Sequence, residues 1–184
     1  MKNIAIIGSG GHANSLIDLI ESSKKFKVIG YFDKEKNRKN KYKYLGKDFE
    51  TKKYNIKLIA MGIGLGIKPQ KKLEIINKYK KLGFYFPSLI HKNSIISKNS
   101  KLEEGTQIFS GTIINTNSRI KSHSVINTGS IIEHDCCIGE NCFICPGSII
   151  LGSSNIGKNT IIGSKNIILP ETKIKNNSFI KAKI

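Results

Sequence analysis

The sequence predicts two domains of different fold class: a small α/β, Rossmann-like domain with a parallel sheet over residues 1–88, and an all-β parallel β-helix over residues 89–184. Two observations predict this division. In the first part, short apolar runs alternate with amphipathic segments, as in sheets covered by helices. In the second part, every sixth residue from Ile90 to Ile180 is aliphatic, and a fixed period is the signature of a solenoid.

The α/β elements follow from apolar runs and helical spacing. Strands are expected at residues 3–7 and 26–32, with a helix over residues 13–22 between them. A lysine-rich stretch without a clear pattern comes next. A third strand is expected at residues 55–61, then a helix that Pro69 opens and Gly83 ends, and a fourth strand at residues 84–86.

Three columns define the β-helix. The aliphatic column has sixteen consecutive members, and a small residue, Cys136 and Cys142 included, stands four positions after most of them. Three positions after them come residues that tolerate positive φ, so this column predicts corners. The corner column is Asn93, Asn99, Gly105, Gly111, Asn117, Gly129, Asp135, Asn141, Gly147, Asn159 and Asn177. Three corners close a triangle, so eighteen residues form one coil and about five coils stack.

The composition limits the classes of partner that the protein is expected to bind. The formal net charge is +18, but only Arg38 and Arg119 of the 31 basic residues are arginines. Sequence-specific base reading favours arginine, so we expect no nucleic-acid partner, and small phosphorylated ligands fit the charge better. No apolar run approaches the ~20 residues of a membrane span, and glycines interrupt the N-terminal apolar run. A cytoplasmic location is therefore expected.

The four cysteines do not predict a metal site. Cys136 and Cys142 are one hexad apart, so they fall on successive faces of the triangle and do not stack. Both fill the small-residue column. We expect all four cysteines, with Cys137 and Cys145, to be buried free thiols, and no metal cofactor.

His134 is the residue that the register singles out for chemistry. It precedes the corner residue Asp135, so its side chain should point outward from an edge. Gly152 lies eighteen residues later, directly over it on the next coil, where a missing side chain would leave room for a thioester and expose a backbone N–H. An incidental corner role for His134 stays open, and Asp135 also suits a corner without chemistry. His123 and His91 lie at similar bends, but the residues around them give less reason to assign them a role in chemistry.

Several motifs resemble bacterial hexapeptide-repeat sugar acetyltransferases with an N-terminal Rossmann-like domain. They are Gly8-Ser9-Gly10-Gly11-His12-Ala13, Tyr31-Phe32-Asp33, Ala60-Met61-Gly62, Leu89-Ile90-His91, and the segment from Asn127 to Cys136. This family includes UDP-4-amino-sugar N-acetyltransferases and proteins named sialic acid O-acetyltransferases. The resemblance implies a left-handed coil, acetyl-CoA as co-substrate, and a homotrimer that sets the N-terminal domain of one subunit near a neighbour's His134.

The resemblance also implies residue roles. His134 matches the general base, Asp135 the acid that raises its basicity, and Asn127 a residue near the acceptor group. The positions that match the nucleotide-sugar site are Gly10, Gly11, His12, Asp33, Lys34 and Gly62, and those that match the acetyl-CoA groove are Gly152, Ser164, Ala182 and Phe143. Phe143 replaces a histidine usual in that groove, and the usual Gly-x-Pro-Ala tail is missing after Lys181.

The expected activity is acetyl transfer from acetyl-CoA to the amine of a nucleotide-linked 4-amino-sugar, with direct transfer and His134 as base. An O-acetyltransferase acting on sialic acid or a related sugar is the alternative within the class. Gly8, Gly10 and Ala13, with Asp33 after the second strand, also fit a dinucleotide fingerprint, so an NAD-binding protein stays open. A purely structural solenoid is the third possibility.

Overall fold

The computed structural model describes residues 1–47, 54 and 56–183, and the chain divides into two units, residues 1–87 and 88–184. Residue 55, the first residue of the expected third strand, lies outside the described residues. In the described part of the chain no helix is both long and apolar enough to cross a bilayer.

The first unit contains a four-stranded parallel sheet and two helices in its described residues. In chain order the elements are β1 (Lys2–Ile7), α1 (Gly11–Ser22), β2 (Phe26–Phe32), β3 (Tyr44–Gly46), β4 (Leu58–Met61) and α2 (Pro69–Lys81). The strand order is β3-β2-β1-β4, so the chain leaves β1 towards one side of the sheet and returns with β4 on the other. That reversal creates a crevice at the carboxyl ends of β1 and β4.

The apolar faces of both helices are buried. Leu16, Ile17 and Ile20 of α1 are buried, as their helical spacing predicts. Ile76 and Tyr79 of α2 pack with β1 and β4 residues in a second cluster. The α/β fold class expected for this part is confirmed.

In this unit one strand was not predicted and one predicted strand is wrong. The lysine-rich stretch, for which no element was predicted, contains β3, whose three residues are too few to show a pattern. Residues 84–86 form no strand: Tyr85 makes one isolated parallel bridge with Leu58, while Phe84 and Phe86 are buried. Phe84 and Phe86 are apolar because they are buried in the core, and only the single bridge at Tyr85 pairs this segment with the sheet. Helix α1 also begins two residues before residue 13.

The second unit is a three-sided β-helix of sixteen described two-residue strands. They are β5 (Leu89–Ile90), β6 (Ile95–Ile96), β7 (Lys101–Leu102), β8 (Gln107–Ile108), β9 (Ile113–Ile114), β10 (Arg119–Ile120), β11 (Val125–Ile126), β12 (Ile131–Ile132), β13 (Cys137–Ile138), β14 (Phe143–Ile144), β15 (Ile149–Ile150), β16 (Asn155–Ile156), β17 (Ile161–Ile162), β18 (Ile167–Ile168), β19 (Lys173–Ile174) and β20 (Phe179–Ile180). Each pairs in parallel with the strand one coil away, eighteen residues along, as at Ile131 and Ile149.

Three sheets give three faces. Face 1 contains β5, β8, β11, β14, β17 and β20; face 2 contains β6, β9, β12, β15 and β18; face 3 contains β7, β10, β13, β16 and β19. We name the corners edge 1–2, edge 2–3 and edge 3–1 after the faces that they join. The aliphatic column lies inside the triangle, and its central members, such as Ile132 and Ile150, are fully buried.

The small-residue column has a hydrogen-bonding role as well as a steric one. The Ser124 hydroxyl donates to the Gly139 carbonyl oxygen at 2.6 Å and accepts the Cys142 N–H at 2.9 Å, so it joins adjacent coils. Cys136 and Cys142 take the same place, their Sγ atoms 3.3 and 3.0 Å from the carbonyl oxygens of Leu151 and Gly157. A small side chain with a donor therefore suits this column best.

Corner residues have left-handed backbone conformations, but the residue types found at the corners are more varied than expected. Asn93 and Asn99 do not have positive φ, whereas four residues outside the predicted set do: His123, Ser153, Lys165 and Glu171, with φ of 60, 59, 58 and 56°. In each of these four the N–H donates to a carbonyl of the coil below, as Ser153 does to His134 at 2.9 Å. Asn93 and Asn99 lie in the first coil, which has no preceding coil to accept that bond.

Candidate active site

Five triplets stack along edge 2–3, and three of them form the candidate site. The lowest of these three is Asn115-Thr116-Asn117, the middle one is Glu133-His134-Asp135, and the upper one is Leu151-Gly152-Ser153. The middle triplet joins β12 to β13, and the coil spacing of eighteen residues places each triplet over the one before it. The fold thus holds nine backbone positions in register on a rigid edge.

His134 points outward, as its register predicts. Its side chain is 56% exposed, and its Nδ1 lies 2.8 Å from Oδ2 of Asp135. When the neutral ring carries its proton on Nδ1, it donates that proton to the carboxylate. Nε2 is then an acceptor with no hydrogen-bond partner among the described residues, which is the state a general base requires.

The carboxylate of Asp135 is bound on both oxygens. Its Oδ2 accepts from His134, and its Oδ1 accepts from Nδ2 of Asn117 at 3.2 Å. These two hydrogen bonds, that of His134 first, lower the pKa of Asp135 below its usual value. Asp135 is therefore ionised at neutral pH and favours the Nδ1–H form of the ring.

Gly152 is in direct contact with the imidazole. A Cβ built at Gly152 would lie 2.7 Å from both Cε1 and Nε2 of His134, closer than such atoms approach. The room that the missing side chain leaves is therefore taken by the ring and is not free for a thioester, contrary to our expectation. The Gly152 N–H has no hydrogen-bond partner among the described residues, so it can donate to a ligand.

The other residues assigned to acetyl-CoA and acceptor lie elsewhere on the β-helix. Asn127, Ser164 and Ala182 belong to edge 1–2, and Phe143 begins β14 on face 1. The Asn127 side-chain oxygen accepts the Thr128 N–H at 2.8 Å, which braces its own corner. Within one chain the β-helix therefore does not bring these four residues together with His134.

A second candidate site lies in the first unit, at the crevice between β1 and β4. Its volume is about 360 Å³, and its lining includes five of the six residues expected to hold the nucleotide-sugar: Gly10, Gly11, His12, Asp33 and Gly62. The sixth, Lys34, is exposed outside this lining, and its N–H donates to Asp33 at 2.7 Å. The crevice opens at the N-terminus of α1.

The walls of this crevice require glycine. A Cβ at Gly62 would come within 2.6 Å of the Ile6 side chain and 2.9 Å of Ala13, and one at Gly64 would lie 3.0 Å from His12. Glycine at these two positions therefore lets the loop after β4 pack closely against β1 and α1. Sequence reasoning missed Gly64 and Ser9, although the run from Gly62 to Gly66 after a buried strand was a signal for the first.

Asp33 and Ser9 form a fixed polar pair at the crevice. The Ser9 hydroxyl donates to Oδ2 of Asp33 at 2.6 Å, and the Ser9 carbonyl accepts from Nδ2 of Asn37 at 2.8 Å. The loop after β1 is thus tied to the end of β2. Helix α1 begins after Gly10 without a side-chain cap and without acidic residues in its first turn, which suits an anionic ligand.

Cys136 directly follows Asp135, but its side chain is buried, with its Sγ 3.3 Å from the Leu151 carbonyl oxygen. Cys136, Cys142 and Cys145 are buried, and burial raises the pKa of the Cys145 thiol to about 11. Cys137 differs from the expectation because it is half-buried, in an outward position on face 3. Among the described residues no group of three or more His, Cys, Asp or Glu side chains could hold a metal.

Two family models match the chain. Residues 3–82 match the PglD N-terminal domain, and residues 117–152 match the bacterial transferase hexapeptide with six repeats. The second match includes Asn117, the triplet Glu133-His134-Asp135 and Gly152 of edge 2–3. No curated protein matches the chain in sequence.

Solved structures share the complete fold. A histidine-to-asparagine variant of perosamine N-acetyltransferase from Caulobacter crescentus, in complex with CoA and GDP-perosamine, superposes with a TM-score of 0.91 at 24% identity, over 99% of this chain and 87% of that one. The acetyltransferase domain of PglB from Neisseria gonorrhoeae, in complex with acetyl coenzyme A, gives 0.90 at 21% identity, over 98% and 88%. WeeI from Acinetobacter baumannii gives 0.71 at 19%, over 97% and 96%. The left-handed β-helix expected for the second part is confirmed by this likeness in fold.

Proposed function

We infer the function from the premise that this chain joins a PglD N-terminal domain to the hexapeptide repeats of bacterial transferases, which confirms the family resemblance and the acyltransferase class expected from the sequence. We propose that it is an acetyl-CoA-dependent N-acetyltransferase that acts on a nucleotide-linked 4-amino-sugar. One observation carries the proposal: a histidine bound to a carboxylate through Nδ1, with Nε2 open, beside a glycine with a free N–H.

His134 is the proposed general base. The amine nitrogen of the sugar forms a bond to the thioester carbonyl carbon, and the proton that it loses passes to Nε2 of His134. The carboxylate of Asp135, 2.8 Å from Nδ1, stabilises the imidazolium that results. Collapse of the tetrahedral intermediate breaks the C–S bond, and the proton on Nε2 returns to the departing CoA thiolate. No acyl-enzyme is needed.

The Gly152 N–H is the proposed donor to the oxyanion. It lies on the coil above the imidazole, and the rigid stacking of the coils fixes it before the substrate arrives. A donor held in place in advance costs no reorganisation when negative charge develops on the carbonyl oxygen. Gly152 therefore has two roles, since its lack of a side chain admits the ring and its amide faces the reaction.

Acetyl-CoA is the proposed donor, supported by the ligands of the fold neighbours: CoA in the Caulobacter structure and acetyl coenzyme A in the Neisseria domain. For this chain we assign Ser164, Ala182 and Phe143 to the groove for CoA. Phe143 offers an aromatic face where the resembling enzymes have a histidine, so its contact to CoA would be apolar.

The crevice of the first unit is the proposed site for the nucleotide-sugar diphosphate. The start of α1, which has no side-chain cap, and the glycine backbone at Gly10, Gly11 and Gly62 suit phosphate oxygens. A net charge of +18 favours a ligand with two phosphates. His12 and Asp33 would contact the sugar or the nucleoside, and Lys34 would add charge at the rim.

A homotrimer would complete the site. The outward column of face 2 is Ile95, Ile113, Ile131, Ile149 and Ile167. Ile95 is 66% exposed and Ile167 50% exposed, and Leu169 beside them is 66% exposed. This face lies between edge 2–3, which carries His134, and edge 1–2, which carries Ser164 and Ala182. A closed ring of three copies buries such a face and pairs edge 2–3 of one copy with edge 1–2 of the next.

The test of this proposal is a thermal-shift panel with acetyl-CoA, NAD and several nucleotide-4-amino-sugars, followed by a CoA-release assay on the ligands that stabilise the protein. We expect stabilisation by acetyl-CoA and by at least one nucleotide-sugar, and CoA release only when both are present. Stabilisation by NAD alone would overturn the proposal. If CoA is released with a sialic acid but with none of the amino sugars, the acceptor group is a hydroxyl and not an amine.

A further inference from the structure

We propose that Asn117 is a positioning residue for His134 that acts through Asp135. Asn117 lies on the coil below the histidine and forms no contact with any reacting atom in the proposed mechanism. This inference rests on the proposed function, and it assigns a role to a residue that sequence reasoning treated as an ordinary corner.

The geometry is that of a relay of three side chains. Asn117 and Asp135 occupy the same corner position on successive coils, both with φ of 59°. Nδ2 of Asn117 donates to Oδ1 of Asp135 at 3.2 Å, while the other carboxylate oxygen, Oδ2, lies 2.8 Å from Nδ1 of His134. Because both oxygens are bound from different directions, the carboxylate plane cannot turn away from the imidazole.

The Asn117 amide is itself oriented. The Thr116 hydroxyl lies 3.5 Å from the Asn117 side-chain oxygen and is reached from the first coil by Nδ2 of Asn99 at 3.4 Å. A hydroxyl donor on the amide oxygen leaves the amide nitrogen for Asp135. The coil below therefore presents a donor to the carboxylate, and not a second acceptor.

A comparison with the other edges separates this role from simple corner packing. On edge 3–1 the stacked corner asparagines bond to one another, Asn141 to Asn159 at 2.9 Å and Asn159 to Asn177 at 3.1 Å. On edge 2–3 a carboxylate replaces the upper amide at Asp135. The asparagine ladder is thus replaced by an amide-to-carboxylate bond at the corner beside His134.

The neighbouring carboxylate shows that the contact is specific. Glu133, on the other side of His134, is held by Nδ2 of Asn115 at 3.0 Å. The charged positions of the triplet are therefore Glu133 and Asp135, each with an asparagine below it. Of these two carboxylates, Asp135 bonds to the ring. The triplets below and above, with Thr116 and Gly152 at their centres, add no charged side chain.

Two substitutions test the role. Asn117→Gly removes the amide but accepts positive φ, as glycine does at four other corners. Asn117→Asp keeps the shape and replaces the donor by a negative charge. We expect Asn117→Gly to lower kcat about tenfold with little change in KM for acetyl-CoA, the loss of one hydrogen bond to a charged group. The control is Asn159→Gly, which deletes a stacked corner amide on edge 3–1 and should leave kcat unchanged.

The pH dependence gives a readout that a structural role would not move. A second carboxylate near the ring stabilises the imidazolium, so Asn117→Asp should shift the acid limb of the kcat/KM profile to higher pH. NMR titration of the His134 ring in the ligand-free protein should show the same upward shift of its pKa. An unshifted His134 titration in a folded Asn117→Asp protein, or equal kcat losses in Asn117→Gly and Asn159→Gly, would overturn the inference.

The NMR measurement also separates this inference from the proposed function. If the wild-type protein releases no CoA with any amino sugar while the His134 titration shifts in Asn117→Asp, the function fails and the relay stands. If CoA release is found and the titration does not shift, the function stands and the relay fails.

Discussion

Gly152 shows how one residue sets the geometry of the whole edge, because a Cβ there would lie 2.7 Å from two ring atoms of His134. We expect Gly152→Ala to displace the ring and lower kcat about a hundredfold, since a shift of about 1 Å in a catalytic group can cost that much. Steady-state kinetics with CoA release measures it. Ser153→Ala, an outward neighbour at φ 59°, is the control and should keep near wild-type kcat. Equal rates in Gly152→Ala and wild type would contradict the packing described.

Asp135 links the site to acid stability. Its hydrogen bonds lower its pKa in the folded protein, so its contribution to the free energy of unfolding is fully present above its unfolded value, about pH 4, and disappears as pH falls through the lower folded pKa. The stability difference between wild type and Asp135→Asn should therefore be larger at pH 5 than near pH 3. Urea unfolding at both values measures it, and a difference that grows on acidification would contradict the direction of the shift.

At the scale of the element, the inner hydroxyls are the contacts that bind coil to coil. Ser124 is buried, donates to the Gly139 carbonyl and accepts the Cys142 N–H. Ser124→Ala leaves both backbone groups without that partner, and we expect a loss of about 1–3 kcal/mol in the free energy of unfolding. Chemical denaturation measures it against Ser122→Ala, two residues away on the outside, which should change stability by less than about 0.5 kcal/mol. Equal effects would show that the column is small for steric reasons alone.

The period of six made the β-helix predictable, because an inward aliphatic residue recurs at every sixth position from Ile90 to Ile180 without exception. What the pattern could not show depends on contacts between coils. Asn93 and Asn99 fit the corner column by type but lack a coil below, whereas Lys165 and Glu171 reach positive φ because a carbonyl below accepts their N–H. In the α/β part, β3 was too short to detect, and residues 84–86 were apolar for packing and not for pairing.

The candidate site was predictable in part for the same reason. The step of eighteen placed Gly152 over His134, and the glycines that follow the first and third predicted strands indicated the crevice. The sequence could not show that the His134 ring fills the space left by the missing Gly152 side chain, nor that the Asn117 amide reaches Asp135. Both contacts depend on the direction of side chains between coils. The roles of Ser164, Ala182 and Phe143 stay predictions.

For the whole molecule, the proposed trimer makes face 2 the surface on which assembly depends. Ile131 lies at the centre of its outward isoleucine column, one coil from Ile113 and Ile149. A charge there opposes burial of the face, so we expect Ile131→Asp to dissociate a trimer into monomers while the β-helix stays folded. Light scattering coupled to size exclusion measures the mass, and Arg119→Asp on face 3 is the matched control. A wild-type protein that is monomeric at micromolar concentration would contradict the trimer.

The most direct test of the central claim, that His134 on edge 2–3 is the base for acetyl transfer, is single-turnover CoA release by wild type and His134→Asn with acetyl-CoA and the nucleotide-sugar that stabilises the protein. We predict that the variant binds acetyl-CoA with near wild-type affinity and keeps its fold, but transfers the acetyl group at least a hundredfold more slowly, within the usual contribution of ~10²–10⁴ from a general base. A variant with wild-type transfer rates would contradict the account.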